Sequence, residues 1–275
     1  MMKHQNACRI FIYTALPCEA KPLVEHFGLK KATRVQPFAV YSDHDLCLTV
    51  TGVGKSAMAA GVAYTQALFS PAENPVLLNV GIAGHKDHPV GSLFLIDKIS
   101  DFDSKRNYYP PLVCTPPCPT ADIQTASRPQ TDYDQPALCD MEASAFYETA
   151  LRFTSGELTQ CLKVISDNKL APAETIQPKQ VSSLIAAQVF TVKVLLAELS
   201  RLAELITAPE PELYAQLVQR YHFTATEQLQ LKNRLIRRDV LTLRCKPDFG
   251  DVRLQSGKEL LRWLDQQLSN SDFYL

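Results

Sequence analysis

Two textures alternate over the first two-thirds of the chain. Arg9–Ala15 is an almost unbroken apolar run, and Leu46–Thr51, Val76–Val80, Ser92–Ile99 and Cys161–Ser166 repeat it. Short runs that are apolar on both faces predict buried strands. Between them lie helix-like segments: Glu19–Phe27 ending at Gly28, the small-residue stretch Lys55–Phe69, and Asp140–Phe153 with its helical periodicity. Strands and helices in this succession predict an α/β fold with a largely parallel sheet covered on both faces. In such sheets functional groups gather where strands end and loops begin.

Two stretches depart from that rhythm. Tyr109–Pro136 is crowded with proline (Pro110, Pro111, Pro116, Pro117, Pro119, Pro129, Pro136), so much of it is expected to be irregular loop. From Gln180 onward the pattern is helical: Val181–Ile206, Glu212–Tyr221, a helix opened by a Thr224/Glu227 capping box and reaching about Arg238, and Ser256–Leu268. This divides the chain into an α/β domain over 1–206 and a mainly helical extension over 207–275.

Composition narrows the class. The chain has 275 residues, 46% of them apolar, enough for a sizeable core. Its 21% charged content with ordinary aromatics excludes disordered, collagenous and disulfide-scaffold chains. With 28 basic against 29 acidic residues the net charge is −1, which argues against general binding to nucleic acid or a membrane surface. No apolar stretch reaches the roughly 18 residues of a membrane span. The run Ile10–Leu16 before Cys18 imitates a short lipoprotein signal, but Pro17 and Glu19 stand where small residues belong. The 8 cysteines are scattered, several within apolar runs, as reduced core thiols are. The expectation is a soluble, cytoplasmic protein.

Candidate chemistry sits at the strand ends. Thr51-Gly52-Val53-Gly54-Lys55-Ser56 looks like a phosphate-binding loop, yet a Walker A loop needs glycine where Thr49 stands. The plain reading is a tight strand-to-helix turn. Asn79-Val80-Gly81-Ile82-Ala83-Gly84 offers small residues that let a flat ligand approach the backbone. Glu19, the pair Asp140 and Glu142, and Asp167 with Asn168 each follow a strand or open a helix; singly, each acid reads as a helix-dipole partner or a cap. His85, His88, Cys114 and Cys118 have permissible zinc spacings but no finger-like framework. The basic cluster Lys232, Arg234, Arg237, Arg238, Arg244 and Lys246 reads as a solvated helix face ahead of a nucleic-acid arm.

In order, a strand followed by Ala15-Leu16-Pro17-Cys18-Glu19-Ala20, then Thr51-Gly52-Val53-Gly54-Lys55, Asn79-Val80-Gly81-Ile82-Ala83-Gly84, Asp140-Met141-Glu142-Ala143 and Ile165-Ser166-Asp167 resembles the nucleoside phosphorylase/nucleosidase superfamily. It looks most like the branch of methylthioadenosine/S-adenosylhomocysteine nucleosidase and futalosine hydrolase, over about residues 9–200. The resemblance implies a three-layer α/β sandwich with a mostly parallel, mixed sheet, and cleavage of a purine nucleoside's N-glycosidic bond without a cofactor or metal. It implies that Asp167 protonates the purine at N7, Glu142 binds the ribose hydroxyls with Met141 against the sugar, and Glu19 orients or deprotonates the attacking water. Gly81, Ile82, Ala83, Gly84 and Asn168 complete the substrate-binding set. The partner is then a small nucleoside, not nucleic acid or membrane, and the protein a homodimer or higher homo-oligomer. The helix N-terminus is expected to keep Glu142 ionised. Phosphorylase members commonly carry arginine where this chain has Asn79, so water is the expected acceptor; a phosphorylase and a catalytically degenerate nucleoside binder are the alternatives. Ile82, in place of a usual serine, and the short proline-rich span from Gly91 to Asp140 bear on the substrate and the subunit contact.

Overall fold

The computed structural model describes residues 8–33, 37–69, 71–207, 210–241 and 254–271. The chain falls into two units, Met1–Thr207 and Ala208–Leu275. In the first, the order is β1 (Cys8–Thr14), α1 (Pro17–Phe27), β2 (Lys30–Lys31), β3 (Ala39–Asp43), β4 (Leu46–Val50), α2 (Lys55–Leu68), β5 (Pro71–Gly84), β6 (Leu93–Asp101), β7 (Asn107–Tyr108), β8 (Thr120–Thr125), β9 (Leu138–Asp140), α3 (Ala143–Ala150), β10 (Thr159–Asp167) and α4 (Pro178–Ile206).

Strand β5 is the hub. It pairs in parallel with β1 on one side and β10 on the other, and its end meets β9 at Gly84 opposite Cys139. Because β10 also pairs with β6, β6 with β8, and β8 with β9, the strands β5, β10, β6, β8 and β9 close on themselves. Closure removes edges from that part of the sheet, while β1, β4, β3 and β2 extend it as an open wing. The sheet is mixed, as expected, with β10–β6, β5–β9, β3–β4 and β2–β3 antiparallel.

Alternation along the strands builds two cores. Phe11 and Tyr13 of β1 pack with Met58, Val62 and Phe146 of α2 and α3. Ile12 faces the opposite way and packs with Ala20 and Leu23 of α1 and with Val181, Ile185, Val192 and Leu195 of α4. The result is helices, sheet, helices. Among the described residues α4 alone is long and apolar enough to cross a membrane by length and composition, contrary to the expectation that no stretch would be. One stripe of it, from Val181 to Leu199, is buried in this core, while Phe190 and Leu205 are exposed. Pro22 inside α1 has no N–H for the carbonyl of Cys18; the hydroxyl of Ser182 on α4 donates to that carbonyl at 2.7 Å, so the helix defect becomes a tie between helices.

The proline-rich span is mostly irregular, as expected; prolines stop at Pro119 and resume at Pro129, and β8 forms between them. One expectation is corrected. Asp140 does not open a helix; it ends β9, and its carboxylate accepts the N–H of Ala143, the first residue of α3. The hairpin of β3 with β4 turns at His44 (φ 39°) and Asp45, a turn that its Asp-His-Asp sequence does not announce.

The second unit contains α5 (Tyr214–Arg220), α6 (Ala225–Leu241) and α7 (Gly257–Ser271) around Leu217, Phe223, Leu231, Leu235, Leu260, Leu261 and Leu264. The predicted capping box is present: Thr224 N–H donates to Glu227 at 2.8 Å, and Glu227 N–H to the Thr224 hydroxyl at 3.3 Å. Arg234 of the basic cluster is bound by both carboxylate oxygens of Asp265, whereas Arg244 and Lys246 lie outside the described residues.

Candidate active site

At the carboxyl ends of β1, β5 and β10 the chain leaves a cavity of about 180 Å³, and Glu19, Asp140, Glu142 and Asp167 all line it. Three acids expected to meet there do so, Glu19 from a segment more than a hundred residues before those of Glu142 and Asp167. Met141, Ile82, Ala83 and Gly84 also line it. Gly81 and Asn168 are not in its lining. A larger apolar groove of about 670 Å³ beside α4 shares only Ser166 with it and gathers no acids.

Glu19 is fixed by backbone alone. It sits in the first turn of α1 and reaches back to accept the N–H groups of Ala15 (2.9 Å) and Leu16 (2.8 Å) on one oxygen. Ile82 N–H donates to the other at 3.0 Å. Gly81 is what allows this approach: a Cβ there would stand 3.2 Å from Glu19 Oε1 and 3.3 Å from Lys163 Nζ. Gly81 thus acts behind the acid rather than on a ligand. Burial raises the Glu19 carboxyl, outweighing the three amides and Lys163, which lower it.

Lys163 was missed by the sequence reading. It stands in the middle of β10, flanked by Leu162 and Val164, and its Nζ lies 2.8 Å from Asp140 Oδ2 with both side chains 1% exposed. Burial works against its charge, but Asp140 and Glu142 outweigh it and hold the ammonium protonated. One lysine inside an otherwise apolar strand was the available signal, since lysine is almost never fully buried unless paired. Asp140 is also saturated by the Thr125 hydroxyl (2.7 Å) and Ala143 N–H (2.9 Å). It is therefore a structural anchor that carries charge at the rim.

Glu142 caps α3 from outside the helix and accepts the Gly54 N–H on Oε1 at 2.7 Å, which leaves Oε2 for a ligand. Its carboxyl is pushed up to about 7, by burial first and then by Asp140, against the opposing pull of Lys163 and the Gly54 amide. Burial and the neighbouring Asp140 thus work against the ionised form that the helix N-terminus was expected to favour. The apparent phosphate loop is likewise spent on the protein. The Gly54 amide serves Glu142, and Lys55 Nζ pairs with Asp101 (3.0 Å) and Asp103.

Asp167 ends β10. The Ser166 hydroxyl donates to its Oδ1 and the Tyr133 hydroxyl to its Oδ2 at 2.9 Å. Gly84 makes room: a Cβ there would fall 2.5 Å from Oδ2. Asn168 instead holds the following turn, donating to His88 O at 2.9 Å and accepting from Leu170 and Ala171. His85 and His88 stack at 4.0 Å. The Nδ1 of His85 accepts N–H groups from Asp87 and His88, so Nε2 carries the proton that faces Pro136 O. Among the described residues no group of three or more His, Cys, Asp or Glu is placed to hold a metal.

The arrangement is a hollow rimmed by four carboxylates against one buried lysine, with no arginine or lysine among its described lining. Such a site favours a ligand that becomes positive as it reacts. No protein-family model matches the sequence, and no curated protein matches it either. Solved structures do. A Helicobacter pylori 5′-methylthioadenosine/S-adenosylhomocysteine nucleosidase superposes with a TM-score of 0.55 at 14% identity, over 70% of this chain and 100% of that one. The Arabidopsis thaliana 5′-methylthioadenosine nucleosidase gives 0.56 at 16%, over 71% and 97%. The Helicobacter pylori futalosine hydrolase gives 0.54 at 14%, over 71% and 100%. The chain therefore has the fold of these nucleosidases and this hydrolase.

Proposed function

We propose that this chain is a purine nucleosidase that hydrolyses the N-glycosidic bond of an adenosine-type nucleoside of the methylthioadenosine, S-adenosylhomocysteine or futalosine kind. The observation that carries the reading is the convergence of Glu19, Glu142 and Asp167 on one cavity lined by Met141 and the Ile82–Gly84 strand end.

The chemistry runs as follows. Asp167 delivers a proton to the purine N7 while the bond between C1′ and N9 breaks and its electron pair leaves with the base. General-acid help of this kind contributes typically 10²–10⁴-fold. The sugar passes through an oxocarbenium-like state, which the surplus of carboxylates stabilises. Glu142 accepts from the ribose hydroxyls through Oε2, with Met141 against the sugar. Glu19 takes a proton from water as its oxygen bonds to C1′. Raised by burial, Glu19 is a stronger base than an exposed glutamate, which suits that task.

Water is favoured over phosphate as acceptor because a dianion beside the sugar needs cations, normally arginine. Here Lys163 is committed to Asp140, and the Asn79 amide donates to the Tyr13 carbonyl at 3.0 Å. Base release from a nucleoside panel, with and without phosphate, tests the reading. Release without phosphate is expected. A strict phosphate requirement would make the protein a phosphorylase, and thermal stabilisation by nucleosides without turnover would make it a binding protein.

A further inference from the structure

Tyr133 lies in the loop between β8 and β9, outside every motif recognised in the sequence. Its ring is buried and its backbone is left-handed at φ 51°, a conformation that an aromatic residue keeps only where its contacts enforce it. Those contacts meet at one atom. Oη accepts the N–H of Ala173 at 2.9 Å and donates to Oδ2 of Asp167 at 2.9 Å. A phenol has one proton, and with an amide already pointing at its oxygen that proton is directed onto the carboxylate. Tyr133 thereby ties the loop bearing Gln130 and Thr131, the turn bearing Ala173 and the end of β10 around the same side of the cavity.

We propose that Tyr133 is a positioning residue for the acid Asp167: its donated hydrogen bond fixes Oδ2 against the base end of the cavity. After each turnover Asp167 regains from solvent the proton it gave to the base, and Glu19 releases to solvent the proton it took from water; the phenol's donated bond opposes that regain, so Tyr133 also sets the pH range of turnover. This rests on the reading of Asp167 as the leaving-group acid. The other titratable groups facing the pair are Cys139 on β9, whose thiol burial and the carboxylates Asp140, Asp132 and Asp167 push up to about 11, and Glu174 on the turn after β10. Burial, despite the Ala173 amide, and the two acids Asp167 and Glu174 push the Tyr133 phenol up to about 12, so it remains a donor across the working range.

The test uses the full chain and Tyr133→Phe. The side-chain carboxyl carbon resonance of Asp167, assigned by its loss in Asp167→Asn, is titrated in ligand-free protein, and the pH profile of kcat/KM for purine release is measured in parallel. In Tyr133→Phe the carboxyl titration and the alkaline limb of kcat/KM are both expected to move to higher pH by about one unit, the size of one hydrogen bond to a charged group. An unmoved carboxyl titration in a variant with wild-type melting temperature overturns the proposal. If Tyr133→Phe melts early, Ala173→Pro removes the amide that orients the phenol while leaving the phenol in place, and Pro172 already has the extended conformation (ψ 153°) that precedes proline. It is expected to move the titration the same way by less, and no movement counts equally against Tyr133. Wild-type protein that releases no purine would sink the hydrolase reading, while the carboxyl titration still decides the role of Tyr133.

Discussion

Lys163 and Asp140 form an ion pair at 2.8 Å that is closed to solvent, and it stands directly behind the carboxylates of the cavity. Removing one member of such a pair leaves the other charged, buried and alone, typically a loss of 3–5 kcal/mol. Lys163→Met is expected to destabilise the protein by about that much in urea unfolding. A loss under about 1 kcal/mol would show that the pair is not load-sharing in the fold.

Glu142 gives a pH dependence whose sign is fixed by its direction. Its carboxyl stands at about 7 in the folded chain against an ordinary 4.5, so between these values the folded state holds more protons than the unfolded one. Stability is then full below about pH 4.5 and falls as pH rises towards 7. The span corresponds to roughly 3–4 kcal/mol as an upper bound, at about 1.4 kcal/mol per unit. Urea unfolding at pH 5 and pH 7.5 is expected to show this decline in wild type and a flatter dependence in Glu142→Gln. Equal slopes in the two proteins would count against the buried, protonated Glu142.

The same carboxyl limits recognition of the sugar. Hydroxyl groups donate best to an ionised Glu142, so kcat/KM is expected to decline as pH drops below about 7. Glu142→Gln should abolish that acid limb while lowering kcat/KM at neutral pH by at least tenfold. An acid limb that survives the substitution would assign it to another group.

Gly84 keeps Oδ2 of Asp167 in place by having no side chain. In Gly84→Ala the new methyl would lie 2.5 Å from that oxygen, and the carboxylate must move. Turnover is expected to fall by about 100-fold, since small misplacements of a reacting group cost that much, with a shift in melting temperature of only a few degrees. Gly81→Ala, with contacts of 3.2 and 3.3 Å to Glu19 and Lys163, should cost less. The reverse order would contradict the placement of the two acids.

Much of this was legible in the sequence, for physical reasons that differ by element. The strands at Arg9–Ala15 and Cys161–Ser166 and the helix ending at Gly28 are written in local pattern, and the structure has them within one or two residues. Each acid of the site looked like an ordinary cap, and only their order along the chain pointed to a common cavity. Closure of β5, β10, β6, β8 and β9 was not legible, because strand pairing is decided by long-range packing. Asp140 misled because it caps α3 from the end of a strand, and a cap reads as a helix start. Lys163 and Tyr133 went unnoticed because nothing in their neighbours reveals which distant carboxylate each will meet.

The most direct test of the central claim is adenine release from 5′-methylthioadenosine in phosphate-free buffer by wild type and Asp167→Asn. Release by the wild-type chain, with at least a 100-fold loss in Asp167→Asn at an unchanged melting temperature, is the predicted result. Equal rates in the two proteins, or no release from any purine nucleoside, would contradict it.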